Sequence, residues 1–217
     1  MLLQIGLGGI GISVLYHLAI YPQGVAELPY PPAVFFDPDQ VEPRNVAHFH
    51  IANILGGQVV IRPGMHKTQV ASQIVTVLTK GRYRPVLLPT GLDNKQVLQS
   101  IKDGVARSSN VFVFAPYPAT PEICEEICRL WPQTKIIEVT DNPEMLVIEG
   151  LHLHVAGVGN QAFLYNLFVG TRKPTEQRDV NCPQASFVLA SMVMGPIIQY
   201  LQGMEVQELS GLLIGVR

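Results

Sequence analysis

The chain has 217 residues, 47% of them hydrophobic and 15% charged, with a formal net charge of −2. That balance describes one well-buried globular unit and offers no basic surface to a nucleic acid. Three cysteines cannot build a disulfide framework and no secretory leader opens the sequence, so a reduced, cytoplasmic setting is expected.

The first stretch reads as a short buried strand (Leu2, Leu3, Ile5) that runs into a glycine turn, Gly6-Leu7-Gly8-Gly9-Ile10-Gly11, and then into an apolar helix from about Ile10 to Tyr21. Gly6 permits the tight turn, Gly8 lets the backbone approach a phosphate, and Gly11 lets the helix lie close on the sheet. A phosphate would sit at the helix N-terminus, facing free N–H groups and the positive end of the helix dipole. Pro22-Gln23-Gly24 is read as the end of this helix, followed by a Pro/Gly-rich loop to Pro32 and a second buried strand, Ala33 to Phe36, that ends at Asp37. An acidic residue there is placed to accept hydrogen bonds from ribose hydroxyls.

A dehydrogenase would continue with a helix. Here Asp37-Pro38-Asp39-Gln40-Val41-Glu42-Pro43-Arg44-Asn45-Val46 is polar and turn-forming. Gln58 to Ile61 reads as a short extended piece, and a helix from Gly64 to Lys80 has its apolar face at Val70, Ala71, Ile74, Val75 and Leu78.

The glycine turn, then Asp37-x-Asp39-x-Val41 leading to Asn45-Val46, then Gly64-Met65-His66-Lys67 opening a helix, resembles the ThiF/MoeB/HesA family, the adenylating relatives of ubiquitin-activating enzymes. The resemblance implies that Gly6, Gly8, Gly9 and Gly11 cradle ATP phosphates and that Asp37 binds the ribose, with Asp39 beside it among the cofactor-binding residues. It also implies that Asn45 reaches phosphate and that Lys67 stabilises charge on the triphosphate, with Mg²⁺ as the companion ion. The arginine that follows the asparagine in the family falls on His48, so Arg44 or a protonated His48 or His50 would take its part. His48 and His50 beside His66 lack a carboxylate at ligand spacing, and no metal site of the protein's own is expected.

Further on, Arg84 to Leu88 reads as a third buried strand, Asn94 to Ala106 as a helix and Asn110 to Ala115 as a fourth strand. The family's strand-end aspartate has three candidate positions. Element order, the stronger guide, gives Pro116-Tyr117 and so leaves the aspartate absent, whereas local match gives Asp93-Asn94 or Asp141-Asn142, either of which could still face the nucleotide. Pro121 to Trp131 is a helix with Cys124 and Cys128 on one apolar face, read as core; the Cys-x-x-Cys pairs of a structural zinc site are missing.

After a strand from Lys135 to Val139 the pattern turns to strands alone: Met145 to Glu149, His152 to Val155 and Ala162 to Val169, the last two paired antiparallel across Gly157-Val158-Gly159. His152 and His154 alternate with Leu151, Leu153 and Val155 and are read as a satisfied or solvent-facing pair. A charged loop from Gly170 to Val180 then leads to Asn181-Cys182-Pro183. A cysteine directly before a long apolar helix recurs in ThiF-like proteins, including the branch of plasmid-borne PRTRC systems, and implies a candidate thioester nucleophile at Cys182; the residue itself reads first as a partly buried structural thiol. Gln184 to Met204 is uncharged over the length of a bilayer span, but Gly195-Pro196 and its Gln and Ser residues mark a buried or interface helix, so no membrane is expected. Gln207 to Val216 fits an edge strand.

The expected architecture is one α/β domain over residues 1–217. A Rossmann-like, mostly parallel sheet with helices on both faces covers residues 1–140; antiparallel strands, a crossover loop and a C-terminal apolar helix make up 141–217. The resemblance implies adenylation of the C-terminal carboxylate of a small ubiquitin-like or sulfur-carrier protein, in a homodimer. The missing loop arginine and strand-end aspartate keep open a second reading, a catalytically degenerate nucleotide-binding module or dimer partner. An NAD-dependent oxidoreductase is a third.

Overall fold

The computed structural model describes residues 1–24, 29–43, 46, 49–91, 95–104, 112–115, 126, 127, 129–131, 135–140, 151–157, 164–170, 187, 190, 191, 194, 195, 197, 198, 202, 214 and 215. For the strands from residue 112 onward, and for residues 23, 24, 50, 95 and 104, the description is of the backbone.

Strands β1 (Leu2–Ile5), β2 (Ala33–Phe36) and β3 (Val86–Leu88) form a parallel sheet with β1 paired to β2 and β2 to β3. Parallel neighbours need a crossover long enough to return the chain. Helix α1 (Gly9–Gly24) makes the first, and α2 (His50–Ile54) with α3 (Lys67–Thr79) makes the second. Helix α4 (Lys95–Gly104) then leads to β4 (Phe112–Ala115), which pairs parallel with β1 on the side away from β2. Winding therefore reverses at β1. The order β3-β2-β1-β4 continues through β5 (Lys135–Thr140), β6 (Leu151–Gly157), β7 (Leu164–Gly170) and β8 (Ile214–Gly215).

Alternation along the strands separates two cores. Leu2 of β1 and Ala33 and Phe35 of β2 are buried with α1 and α3, whereas Leu3, Val34 and Phe36 are buried with Leu98 and Ile101 of α4 and with Ile127, Leu130 and Trp131. This is an α/β core with helices against both faces of the sheet. Helix α1 is buried nearly all round, through Ile10, Ile12, Val14, Leu15, Leu18 and Ala19, as an all-apolar helix must be. Ala190, Met194 and Ile197 share its core. Among the described residues no helix is long and apolar enough to cross a membrane.

Four expectations are corrected. Helix α1 runs through Pro22 to Gly24; proline's fixed φ fits a helix, and in the last turn its missing N–H forfeits a single bond to the turn before it. Residues 58–61 form no strand, because Gln73 of α3 satisfies Val60 instead, accepting from its N–H at 2.9 Å and donating to its carbonyl at 3.4 Å. Helix α3 begins at Lys67, after a turn at Gly64 and an N-cap at His66. Strand β3 is the sheet edge and not a buried strand, with Val86 39% exposed. The short helix α2 has no counterpart among the expected elements, since five residues are too few to carry a 3.6-residue period.

Candidate functional site

The reversal of winding between β1 and β4 creates a crevice at the carboxyl end of β1, the place where open α/β sheets bind ligands. The glycine turn leaves β1 there. Gly6 has φ 100°, a region that disfavours any side chain, and its N–H extends the ladder by donating to the Phe36 carbonyl at 2.7 Å. Gly8 faces open space, with nothing within 4 Å of where a Cβ would stand. Gly11 is the opposite case: a Cβ there would collide with the Gly6 carbonyl oxygen and lie 2.7 Å from Nε2 of Gln4. The first turn of α1 has no acidic side chain, so its N–H groups and positive dipole end face the crevice uncompensated by an acid of its own.

Asp37 ties this turn to the rest of the site. Its Oδ2 accepts from the Leu7 N–H at 2.6 Å and its Oδ1 from the Asp39 N–H at 2.8 Å, while its own N–H donates to the Leu88 carbonyl at 3.1 Å. The side chain is 4% exposed. Burial pushes the carboxyl above the usual carboxylate range, against the opposing pull of Lys67 and of the two backbone N–H donors; the neighbouring Asp39 pushes it the same way as burial.

Lys67 completes the group from α3. Its Nζ lies 2.7 Å from Oδ2 of Asp39 and 3.6 Å from Oδ2 of Asp37, with its side chain 12% exposed and that of Asp39 64% exposed. A lysine in the first helical turn faces the positive end of its own helix dipole, and the two carboxylates offset that repulsion. The backbone brings them together. Val41 donates to the Met65 carbonyl at 2.7 Å, Gly64 to the Val41 carbonyl at 2.8 Å and Lys67 to the Asp39 carbonyl at 3.1 Å, around an antiparallel bridge between Gln40 and His66. The Gln69 side chain accepts from the His66 N–H at 3.1 Å and so fixes the start of α3.

The structure thus gathers Gly6, Gly8, Gly9, Gly11, Asp37, Asp39 and Lys67 at one end of the sheet. Arg44, Asn45, His48 and Cys182 lie outside the described residues, as do Asp93, Pro116, Tyr117, Cys124, Cys128, Asp141 and residues 145–149. Among the described residues no three His, Cys, Asp or Glu side chains are grouped to hold a metal ion. One residue of the site escapes a reading of sequence patterns. Gln4, in the middle of β1, is fully buried and donates from Nε2 to the carbonyls of Gly6 and Gly11, each at 2.9 Å. Its only signal is a polar side chain inside an apolar run.

Chemically the arrangement offers backbone N–H donors at the start of α1, an ammonium group linked to the glycine turn through one buried carboxylate, and one exposed carboxylate. No protein-family model matches the chain, and a search of curated proteins also gives no match.

Proposed function

We propose that the chain is a ThiF-like nucleotide-binding protein that takes ATP with Mg²⁺ and adenylates the C-terminal carboxylate of a small ubiquitin-like or sulfur-carrier protein. The observation that carries this reading is the continuous link from Leu7 of the glycine turn through Asp37 to Lys67. An acyl carboxylate attacking the α-phosphorus forms a new P–O bond as the bond to the bridging oxygen of the β-phosphate breaks, releasing pyrophosphate. Negative charge gathers on the phosphoryl oxygens in that step, where backbone donors and a fixed cation stabilise it most.

In this reading the turn Gly6–Gly11 receives the phosphates and Asp39 offers its exposed carboxylate to the ribose end, while Asp37 braces turn and cation together. Asn45, with Arg44 or His48, adds phosphate contacts, and Cys182 is the candidate acceptor of the activated acyl group. The resemblance brings Mg²⁺ as the companion of the triphosphate; such an ion is held largely by substrate phosphates and would supply charge neutralisation of the polyphosphate.

The second half of the chain belongs to the same domain in this proposal, as an antiparallel extension closed by the apolar segment 184–202. Supporting it, β6 runs antiparallel to β5, from Lys135 opposite Gly157 to Thr140 opposite His152, and β7 runs antiparallel to β6. Ser191 Oγ lies 3.0 Å from Nε2 of His17 on α1, and Gln202 donates to the Tyr21 hydroxyl at 2.8 Å.

Pyrophosphate exchange with a candidate carrier tests the reading. Wild type exchanges label into ATP, and Lys67→Ala loses on the order of a hundredfold, the usual loss for one transition-state donor; undiminished exchange in that variant removes Lys67 from the mechanism. A specific observation favours a second reading, nucleotide binding without turnover: the Lys67 ammonium is already engaged by two carboxylates. ATP binding with no exchange under any carrier would select it.

A further inference from the structure

Position 4 lies on the face of β1 that carries Leu2, against α1 and α3, where a central parallel strand ordinarily carries an aliphatic side chain. A fully buried carboxamide there is expensive. Its Nε2 is doubly used, but its Oε1 has no partner among the described residues and is closed to solvent. Leucine or methionine would fill the space without that penalty, so stability alone does not account for the amide. The orientation of the amide is forced, since the flipped form would set its oxygen against two carbonyl oxygens.

What the amide does is geometric. It joins the carbonyl of Gly6, where the chain leaves the sheet, to the carbonyl of Gly11, inside the first turn and a half of α1. These residues bound the glycine turn. The absent Cβ of Gly11 is what lets Nε2 approach, so the two positions form a matched pair. Asp37 holds the same turn at another point, the Leu7 N–H. The turn is thereby held at Gly6, Leu7 and Gly11, with the side at Gly8 left open. Backbone donors fixed in advance bind an anion better than donors that must be ordered by it.

We infer that Gln4 is the positioning residue of this turn: its carboxamide sets the spacing of Gly6 and Gly11 and so aims the N–H groups at the start of α1. The part of this inference that concerns affinity rests on the proposed nucleotide site, whereas the part that concerns the shape of the turn stands without it.

The test uses the full chain with Gln4→Met, which keeps the volume and loses the donors, and Gln4→Asn, which keeps an amide too short to span both carbonyls. Backbone amide resonances are recorded in the ligand-free proteins, with thermal midpoints and with affinities for ATP, inorganic tripolyphosphate and adenosine. In both variants the resonances of residues 6–12 move while those of α3 and α4 stay. In Gln4→Met the midpoint changes by less than about 2 °C, the shift that under about 1 kcal/mol produces in a domain of this size. ATP and tripolyphosphate bind about tenfold more weakly, as a displaced set of donors predicts, and adenosine binding is unchanged. Unmoved resonances in residues 6–12, or a fall in midpoint with polyphosphate affinity intact, overturns the inference. Should wild type bind neither ATP nor tripolyphosphate, the nucleotide function fails and the resonances alone decide the role of Gln4. If Gln4→Met does not fold, Gln4→Asn carries the same comparison.

Discussion

A buried carboxylate that braces a backbone turn has an unusual signature in acid. Burial raises Asp37 above its ordinary value of 3.8, outweighing Lys67 at 3.6 Å and the N–H groups of Leu7 and Asp39. Between 3.8 and the raised value the folded chain keeps a proton that the unfolded chain has lost. Acidification through that window therefore favours the folded state at this residue, and stability is lost again as the pH rises through the folded value. Carboxylates whose pairing holds them low behave in the opposite way. The expected outcome is that wild type gains stability relative to Asp37→Asn as urea unfolding is repeated stepwise from neutrality down to about pH 4. In a Lys67→Met background the same gain begins at higher pH, because the ammonium that opposed burial has gone. A relative loss for wild type on acidification would mean that the hydrogen bonds and Lys67 dominate.

At the scale of elements, the glycines of the turn divide by what surrounds them. Gly11→Ala drives a methyl group into the Gly6 carbonyl and against Gln4, and is expected to destabilise the chain by about 1–3 kcal/mol. Gly8→Ala meets nothing within 4 Å, so its unfolding midpoint stays near wild type; under the proposed function the methyl stands on the open side where a phosphate would approach, and ATP affinity falls. Denaturation and calorimetric titration of the two variants separate these effects; equal loss of stability in both would refute the division. Much of this region is legible in the sequence, because local signals agree. Strands β1 and β2 are apolar runs bounded by glycine, proline and aspartate, and Val70, Ala71, Ile74 and Val75 of α3 keep a helical period that the structure buries. What the sequence hides are contacts between distant segments. Nothing local to Gln73 announces its pairing with Val60, and nothing local to Asp37 announces a bond to Leu7, thirty residues earlier. The resemblance assigns Asp37 and Lys67 to one site, but only the fold reveals that Asp37 turns both oxygens toward backbone donors. Strand β3 misleads in a related way, since an apolar run signals a strand without saying whether a neighbour covers its far side.

For the whole molecule, the question raised by the uncharged stretch 184–202 is whether its apolar residues serve this chain or a second copy. Ala190, Met194 and Ile197 are buried in the core that holds α1, and Phe187 packs against Tyr16 and His17 with ring centroids 6.0 and 4.9 Å away. Ser191 and Gln202 carry the hydrogen bonds to α1, and Ser191 and Gly195 are exposed. Phe187, Ala190, Met194 and Ile197 thus cover α1 within one chain, and an all-apolar helix needs such cover before it can be stable in water. A homodimer formed here would meet the exposed Ser191 and Gly195 and not the buried Ala190, Met194 and Ile197. Ile197→Asp puts a charge into this core and is expected to lower unfolding free energy by about 3 kcal/mol or more, at every protein concentration alike. The measurement is urea unfolding over a range of concentrations, with light scattering on the folded protein. A variant that keeps wild-type stability while a wild-type dimer becomes a monomer would show that Ile197 faces the second copy. A concentration-independent loss shows that it closes the fold over α1, the helix whose first turn is the proposed phosphate site.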